Sequence, residues 1–303
     1  MNLRDLKYIC AVADLKHFGR AAEYCNISQP TLSGQIKKLE NELGVILFER
    51  NYKVIRVTET GEKIISLARQ ANLAANQINK VAKSAQDPLS GNISIGLIPT
   101  IAPYLIPLFA KKLRESMTKM SIRYVEDITD RLMDSLMHGK LDIAILATPP
   151  EQEALTAIEL YSEPFWLLYP KNHPLSKIHN IKMQDIDQED LLLLTEGHCF
   201  RDQALSICKS PQSTQQQFLQ ATSLETLINL VVSGQGITLI PALAVKNEWD
   251  SKSEIIKTKI NEKNAQRKIY LTYRKEFPRI QVVDALTKII RNSLPETVAT
   301  SCS

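Results

Sequence analysis

The residues best suited to chemistry lie in one short segment, GHCFRDQALSIC (197–208), which holds two cysteines. Eight residues separate Cys199 from Cys208, and His198 stands directly before the first cysteine. A cysteine thiolate can attack a peroxide, and the resulting sulfenic acid can condense with a second thiol. The segment is therefore compatible with a redox pair or, as is commoner for free cysteine, with two small buried apolar residues.

Helix geometry decides what a bond between the two cysteines would require. The composition of FRDQALSIC (200–208) is compatible with a helix, and a helix would place Cys199 and Cys208 about 13 Å apart along its axis. A disulfide needs Cα atoms within about 7 Å of each other. If the segment is helical, the bond forms only after the helix unwinds, so the pair would separate two conformations.

The first cysteine is predicted to be the attacking one. The start of a helix carries partial positive charge, and His198 and Arg201 are its neighbours in the sequence. These features favour a thiolate at Cys199, which peroxide would oxidise before Cys208 condenses with it. The remaining three cysteines have no such context, and we expect no regulatory role for Cys10, Cys25 and Cys302.

Strands that alternate with helices are predicted to position this segment. The strands are expected at 93–98, 121–126, 141–146, 164–170, 190–195, 236–241 and 267–275, and helices at 102–116, after Thr129, at 223–234 and at 279–293. This alternation indicates parallel βαβ units. A crossover near residue 162 divides them into two α/β subdomains.

Two threonines mark where a ligand would bind in such a fold. Thr100 and Thr129 each follow a predicted strand and come just before a predicted helix. Ligands of open α/β sheets bind at the carboxyl ends of strands, beside helix N-termini. Each threonine alone is most simply a helix N-cap, but their convergence with residues 197–202 on one crevice predicts a binding site.

Composition and charge limit the class of protein. The chain has 303 residues, enough for two or three domains, and a net charge of +4. Residues 1–90 carry the whole excess, with 13 Lys or Arg against 9 Asp or Glu, while residues 91–303 hold 24 of each. This asymmetry hints at an anionic partner such as DNA.

Neither a long apolar run nor a signal peptide is evident, which predicts a cytoplasmic chain with no membrane partner. The cysteine spacing predicts no metal site, and we expect no cofactor.

The N-terminal segment has the spacing of a helix–turn–helix. A short helix at 19–24 is followed by a second helix, which Ser28 is expected to cap and Gly44 to end. Its buried stripe is predicted to be Leu32, Ile36, Leu39 and Leu43. Residues 45–58 are predicted to form two short strands, a wing. The alternative is an ordinary helical pair with a polar solvent face.

The outward face of the second helix and the wing carry groups that suit base edges and phosphates. The residues predicted to contact DNA are Ser28, Gln29, Pro30, Thr31, Ser33, Gln35, Lys37, Lys38, Arg50 and Lys53.

A long helix is predicted from Thr58 to about residue 86. Apolar residues recur at alternating spacings of four and three, forming a seam dominated by alanine: Ile64, Ala68, Ala71, Ala75, Ile78, Ala82 and Ala85. Such a seam predicts a dimerisation arm. The alternative is a helix packed on its own domain.

Three stretches resemble the N-terminal signature of LysR-type transcriptional regulators: RAAEYCNISQPTLSGQIKKLE (20–40), LGVILFER (43–50) and TETG (58–61). The resemblance implies an all-α-type winged helix–turn–helix at 1–58, a dimerising linker helix at 59–88, and an effector domain at 89–303. It implies a periplasmic-binding-protein-like effector fold, with subdomain I at 89–162 and 269–303 and subdomain II at 163–268. It also implies a homodimer or homotetramer on double-stranded promoter DNA.

Further stretches resemble the peroxide-sensing members of that family: IGLIPTIAPYL (95–105), GHCFRDQALSIC (197–208), ATSLETL (221–227) and GQGITLIPALAV (234–245). This resemblance implies that hydrogen peroxide oxidises Cys199 and that Cys208 resolves it as a disulfide. It implies that Thr100 and Thr129 help to hold peroxide near Cys199. We expect His198 and Arg201, which lie close to Cys199 in the sequence, to complete this peroxide pocket. It further implies activation of antioxidant genes through RNA polymerase, with re-reduction by a glutaredoxin or thioredoxin system.

Two other functions remain open from the sequence. The first is a LysR-type regulator that senses a small metabolite in the same crevice. The second is a thiol peroxidase, although a DNA-binding segment would serve no purpose in such an enzyme.

Overall fold

The computed structural model describes residues 1–51, 54–84, 87–179, 181, 185–186, 191–208, 220–245, 254–260 and 265–300. The chain divides into an N-terminal unit, Met1–Gln86, and a C-terminal unit, Asp87–Ser303. Each is described by itself. Among the described residues, no helix has both the length and the apolar character needed to span a membrane.

The N-terminal unit is a winged helix–turn–helix followed by a long helix. Its elements are α1 (Leu3–Leu15), α2 (Phe18–Tyr24), α3 (Gln29–Leu43), β1 (Phe48–Asn51), β2 (Val54–Val57) and α4 (Glu59–Ser84). The two strands pair antiparallel and form the wing.

The predicted start and end of α3 are confirmed. The Ser28 hydroxyl accepts a hydrogen bond from the backbone N–H of Thr31 at 3.3 Å, and Gly44 ends the helix with a φ of 69°. Leu32, Ile36 and Leu39 are buried as the stripe predicts. The prediction for Leu43 is wrong, because the last turn of α3 leaves it 36% exposed.

Two motif residues join the wing and the long helix to the rest of this unit. The Glu40 carboxylate, on α3, accepts hydrogen bonds from the backbone N–H groups of Leu47 and Phe48 at 2.8 and 3.2 Å. A Cβ added to Gly61 would lie 2.5 Å from the carbonyl oxygen of Leu47, so only glycine permits this approach of α4. Both contacts explain residue types that the sequence motif contains.

The seam on α4 has two different halves. Ala68 is buried in the core of its own unit, and Ile64 and Ala71 pack against that core. Ile78 is 70% exposed, and Ala82 is also exposed. The alternative of packing on its own domain therefore holds for the first half, and only the second half remains available as a dimerisation surface.

The C-terminal unit is an α/β fold. Its elements are β3 (Gly91–Leu97), α5 (Ala102–Ser116), β4 (Met120–Glu126), α6 (Thr129–Met137), β5 (Ile143–Leu146), β6 (Leu155–Pro170), β7 (Leu193–Leu194), α7 (Cys199–Cys208), β8 (Gln220–Ala221), α8 (Leu224–Val232), β9 (Thr238–Pro241), β10 (Ile255–Lys259), β11 (Gln266–Arg274), α9 (Ile280–Arg291) and β12 (Ala299–Thr300).

The main sheet is mixed, and the prediction of parallel units holds for only part of it. β3 pairs parallel with β4 and β5, and β7 pairs parallel with β8 in a separate two-stranded sheet. β11 pairs antiparallel with β5 and β6, and β6 also pairs antiparallel with β9, β10 and β12. The predicted strand at 164–170 is wrong in extent, because β6 runs unbroken from Leu155 to Pro170.

β6 connects two hydrophobic cores. Its first half, with Leu160 and Tyr161, lies in a core shared with α5, α6 and α9. Its second half, with Phe165 and Leu167, lies in another core shared with α7 and α8. We call these core I and core II. Trp166 packs against both, so the crossing strand is common to the two halves of this unit.

Candidate thiol site

A small cavity surrounds the start of α7. Three segments line it: Ile98, Pro99 and Thr100 after β3; Ile128 and Thr129 at the start of α6; and His198, Cys199 and Phe200 at the start of α7. The space open within it is close to that of one water molecule. Cys199 is a half-buried free thiol, and it packs against core I although its helix belongs to core II.

Helix starts converge on this cavity. Thr129 and Cys199 are the first residues of α6 and α7, and Thr100 lies two residues before the first residue of α5. The backbone N–H groups of a first helical turn have no intrahelical partner and carry partial positive charge. The cavity therefore lies beside N–H groups of the kind that stabilise negative charge on an oxygen ligand.

Neither cavity threonine caps its helix. The N-cap positions of α5 and α6 are Ile101 and Ile128, and neither side chain makes a capping hydrogen bond. The hydroxyl oxygen of Thr129 is buried and has no hydrogen-bond partner among the described residues. The N-cap alternative from the sequence is therefore wrong for both threonines, and their hydroxyls are available to a ligand.

A buried ion pair holds Thr100 in place. The Arg267 guanidinium donates from Nη1 to the Thr100 hydroxyl at 2.8 Å and from Nη2 to its carbonyl oxygen at 3.0 Å. Arg267 is itself held by the Glu163 carboxylate, with Nε and Nη2 at 2.9 and 2.8 Å from Oε1. Because Arg267 can only donate, the Thr100 oxygen must accept, and its own hydrogen is left to donate into the cavity.

The sequence contains a signal for this pair that the motif analysis missed. Glu163 and Arg267 are direct cross-strand partners on β6 and β11, and both side chains are almost completely buried. Alternation places Glu163 on the same face as Tyr161 and Phe165, and places Arg267 on the same face as Ile269. One acidic and one basic residue at inward positions of two strands indicate a buried pair.

Gly197 fixes the turn that leads into Cys199. Its φ is 90°, which residues with a side chain rarely adopt, and a Cβ there would lie 3.4 Å from Ile128 Cδ1. The glycine thus lets the backbone enter α7 against the wall of the cavity.

The predicted electrostatic roles of His198 and Arg201 need correction. His198 lines the cavity, but burial lowers the pKa of its imidazole, so the ring is neutral near pH 7 and adds no positive charge. Arg201 is not among the lining residues; its guanidinium donates to the carbonyl oxygen of Leu194 at 3.1 Å. Arg201 therefore ties α7 to β7.

Cys199 and Cys208 are the two ends of α7. The expected helix is confirmed, and its length separates the two Cα atoms by about 13 Å along the axis. The Cys208 side chain lies outside the described atoms. A disulfide between them is incompatible with this helix.

The predicted DNA-contacting residues on α3 form an accessible face. Ser28, Gln29, Pro30, Thr31, Gln35, Lys37 and Lys38 are exposed, and Ser33 is half-buried. The Arg50 side chain and the whole of Lys53 lie outside what the structure describes. Within the described residues, no group of His, Cys, Asp and Glu has the arrangement of a metal site.

Two family models match the chain. Residues 3–62 match the bacterial regulatory helix–turn–helix protein, lysR family, and residues 86–295 match the LysR substrate binding domain.

Individual relatives are similar over nearly the whole chain. The Escherichia coli K12 protein named "DNA-binding transcriptional dual regulator OxyR" is 40% identical over 96% of this chain and 95% of its own length. A full-length Pseudomonas aeruginosa OxyR with a cysteine-to-aspartate substitution has a TM-score of 0.80 and 35% identity, covering 100% of this chain and 99% of that one. A Corynebacterium glutamicum OxyR with a cysteine-to-serine substitution, described as H2O2-bound, has a TM-score of 0.64 and 33% identity, covering 96% of this chain and 92% of that one.

Proposed function

Since the chain belongs to the LysR family of bacterial helix–turn–helix regulators, we propose that it is a transcriptional regulator that senses hydrogen peroxide through Cys199. The observation that carries the proposal is the cavity itself. It places a free thiol beside the Thr100 and Thr129 hydroxyls, in a space that suits a molecule of a few atoms.

The sensing reaction follows from this arrangement. The Cys199 thiolate attacks one peroxide oxygen, the O–O bond breaks, and the leaving hydroxide takes up a proton to become water. The Thr100 hydroxyl, oriented by Arg267, donates to the peroxide, and Thr129 offers a second hydroxyl that no other described residue engages. Cys208 then attacks the sulfenic sulfur, releasing a second water and forming the disulfide.

The size of the cavity argues against a metabolite sensor, and the position of the two cysteines argues against a thiol peroxidase. A metabolite of ordinary size needs a pocket of about 300 Å³ or more, which exceeds the space that the described residues enclose beside Cys199. A thiol peroxidase would have to unwind and rebuild α7 in every turnover, because its cysteines end one helix. Slow, stoichiometric consumption of peroxide is expected instead.

The structural change would be passed to DNA binding. Unwinding α7 alters core II, and we propose that the resulting rearrangement changes how paired N-terminal units meet promoter DNA. The exposed half of α4, with Ile78 and Ala82, is the proposed dimer contact. The proposed partners are promoter DNA, RNA polymerase and a glutaredoxin or thioredoxin that reduces the disulfide. Binding to chromosomal DNA would place the chain in the cytoplasm.

The decisive experiment is intact and peptide mass spectrometry after brief exposure to peroxide. The unsubstituted chain should gain a Cys199–Cys208 linkage, Cys199→Ser should gain none, and Cys208→Ser should stop at oxidised Cys199. Cys10→Ser, which removes another half-buried thiol that is not in a disulfide, is the matched control and should behave as the unsubstituted chain. A chain that forms no 199–208 linkage would rule out the proposed sensing reaction.

DNA binding has a separate test. The exposed Lys37 and Lys38 should contribute phosphate contacts, so affinity for a promoter fragment should fall steeply as salt rises. Replacing both by Gln should weaken binding to all DNA sequences and reduce the salt dependence, whereas Gln35→Ala should reduce discrimination between sequences. An unchanged salt dependence in the double variant would exclude the α3 face as the DNA contact.

A further inference from the structure

We propose that Phe200 is the residue that holds the chain in its reduced conformation, and that its side chain must leave core II when the disulfide forms. The inference rests on the proposed function, because it assumes that Cys199 and Cys208 become linked. It adds a residue that sets the redox equilibrium without taking part in the bond.

The Phe200 side chain anchors the start of α7 in core II. It is 2% exposed, and its ring meets that of Phe165 edge-on with centroids 5.4 Å apart. The Arg267 guanidinium lies over the same ring, with Cζ 5.3 Å from the centroid. Phe200 thus contacts both the apolar core and the cation that orients Thr100.

These contacts cover a buried charge pair. Glu163 and Arg267 are 0% and 1% exposed at their side chains. Each buried ion loses much of its hydration, and the pair is favourable only while its remaining surroundings stay closed and its hydrogen bonds stay made. The Phe200 ring forms part of that closed surrounding, so its departure would change the environment of the whole Thr100–Arg267–Glu163 group.

The size of the cavity indicates which cysteine has to move. A disulfide brings the two sulfurs within about 2.05 Å of each other. A space close to that of one water molecule cannot admit the side chain of Cys208 as well. Cys199 must therefore come out of the cavity, and the backbone that carries it also carries Phe200, the next residue.

Loss of the Phe200 contacts should favour the disulfide form over the dithiol form. In the reduced chain Phe200 contributes burial, ring packing and a cation–π contact, all of which the oxidised chain lacks. The two thiols lose two electrons and two protons to peroxide, which becomes two waters, as the disulfide forms. Removing the Phe200 ring destabilises only the reduced chain, in which both cysteines are thiols, so it shifts the equilibrium towards the disulfide.

The test is the midpoint potential of the Cys199–Cys208 couple, measured in the full chain equilibrated with glutathione buffers. Phe200→Ala should favour the disulfide at least about tenfold, which corresponds to a potential about 30 mV more negative. Phe200→Leu keeps an apolar side chain but loses both ring contacts, and it should shift the potential in the same direction by less. This milder variant keeps the test usable if Phe200→Ala does not fold.

Phe109→Ala is the matched control. Phe109 is a fully buried aromatic residue on α5 in core I, where it meets Tyr124 edge-on. Its truncation removes the same atoms outside α7, so it should lower the stability of both redox forms and leave the potential unchanged. If Phe200→Ala and Phe200→Leu leave the potential at the unsubstituted value, Phe200 stays in core II on oxidation and the inference is overturned. Absence of the 199–208 linkage in the unsubstituted chain would instead refute the proposed function.

Discussion

The helix–turn–helix draws its contacts from residues 2–71, whereas the cavity around Cys199 draws its walls from segments near residues 99, 128 and 199 and its support from residues 163 and 267. In the first region a cap, a stripe and a terminating glycine lie within one helix and its ends. In the second, a hydroxyl, a thiol and a guanidinium come together only through the sheet. A local motif therefore identifies the DNA-binding element, while the sensing site depends on long-range pairing.

The largest expected effect is a loss of stability when the buried pair of Glu163 and Arg267 is broken, and a double variant separates this loss from the effect on peroxide sensing. Arg267→Met leaves Glu163 buried without its partner, and it should lower the free energy of unfolding by about 3–5 kcal/mol. The double variant Arg267→Met with Glu163→Met should recover most of this loss but should still react slowly with peroxide, because Thr100 loses its donor. Chemical denaturation and stopped-flow oxidation measure the two effects. If the double variant is oxidised by peroxide as fast as the unsubstituted chain, Arg267 has only a structural role.

A change in the N-terminal unit should leave sensing intact. Glu40→Ala removes the acceptor of two backbone N–H groups in the wing, which should cost about 1–3 kcal/mol and weaken promoter binding. Glu49→Ala, which removes an exposed carboxylate from β1, is the control and should not destabilise the unit. Binding titrations and thermal melts provide the comparison. Slower oxidation of Cys199 in Glu40→Ala would contradict the independence of the two regions.

Removing the Thr129 hydroxyl from the cavity should slow the oxidation of Cys199 without altering the stability of the chain. Thr129→Val removes a buried hydroxyl that has no partner among the described residues, so unfolding should change by less than about 1 kcal/mol. Oxidation of Cys199 should slow about tenfold, the value of one hydrogen bond to the reacting peroxide. Thr287→Val removes another unpartnered buried hydroxyl, on α9, and is the control. Equal rates in the two variants would exclude Thr129 from the reaction.

The smallest expected effect is on pH dependence. Burial lowers the pKa of His198, so the folded chain favours the neutral ring. The corresponding stability is present above the unfolded pKa of about 6.5 and is lost as pH falls below it. The melting temperature should therefore fall less steeply below pH 6.5 in His198→Asn than in the unsubstituted chain. If the melting temperatures of the two proteins fall equally steeply below pH 6.5, the folded chain does not favour a neutral His198.

How much could be predicted depended on where each signal lies in the chain. The caps of α3 and the ends of α7 were predictable because helix chemistry acts within a few residues. The unbroken course of β6 was not, because the polar residues in Ser162–Glu163–Pro164 interrupt the apolar pattern and indicate a boundary. Glu163 is tolerated there only because Arg267 faces it from a strand about a hundred residues later.

The prediction from sequence neighbours is right that His198 lines the cavity and wrong that it adds positive charge there. His198 and Arg201 were chosen because they adjoin Cys199, yet one is neutral and the other bonds to a strand carbonyl. The cation beside Thr100 is Arg267, which no local spacing relates to Cys199. Both cavity threonines were found, because strand ends and helix starts are visible in the sequence and meet at one edge.

The isoleucines at the starts of α5 and α6 have a consequence for how this fold can evolve. Both occupy N-cap positions without a capping side chain. Ile101 is 1% exposed, so a polar residue there would lose more in core burial than a cap returns. At the half-buried position 128, Ser, Thr, Asp or Asn would add about 1 kcal/mol of stability. A polar cap at position 128 would put an oxygen at the cavity wall, where it would compete for the groups that meet peroxide. Selection or engineering for thermal stability alone should therefore fill position 128 and erode the sensor, a conflict between robustness and responsiveness located at one side chain.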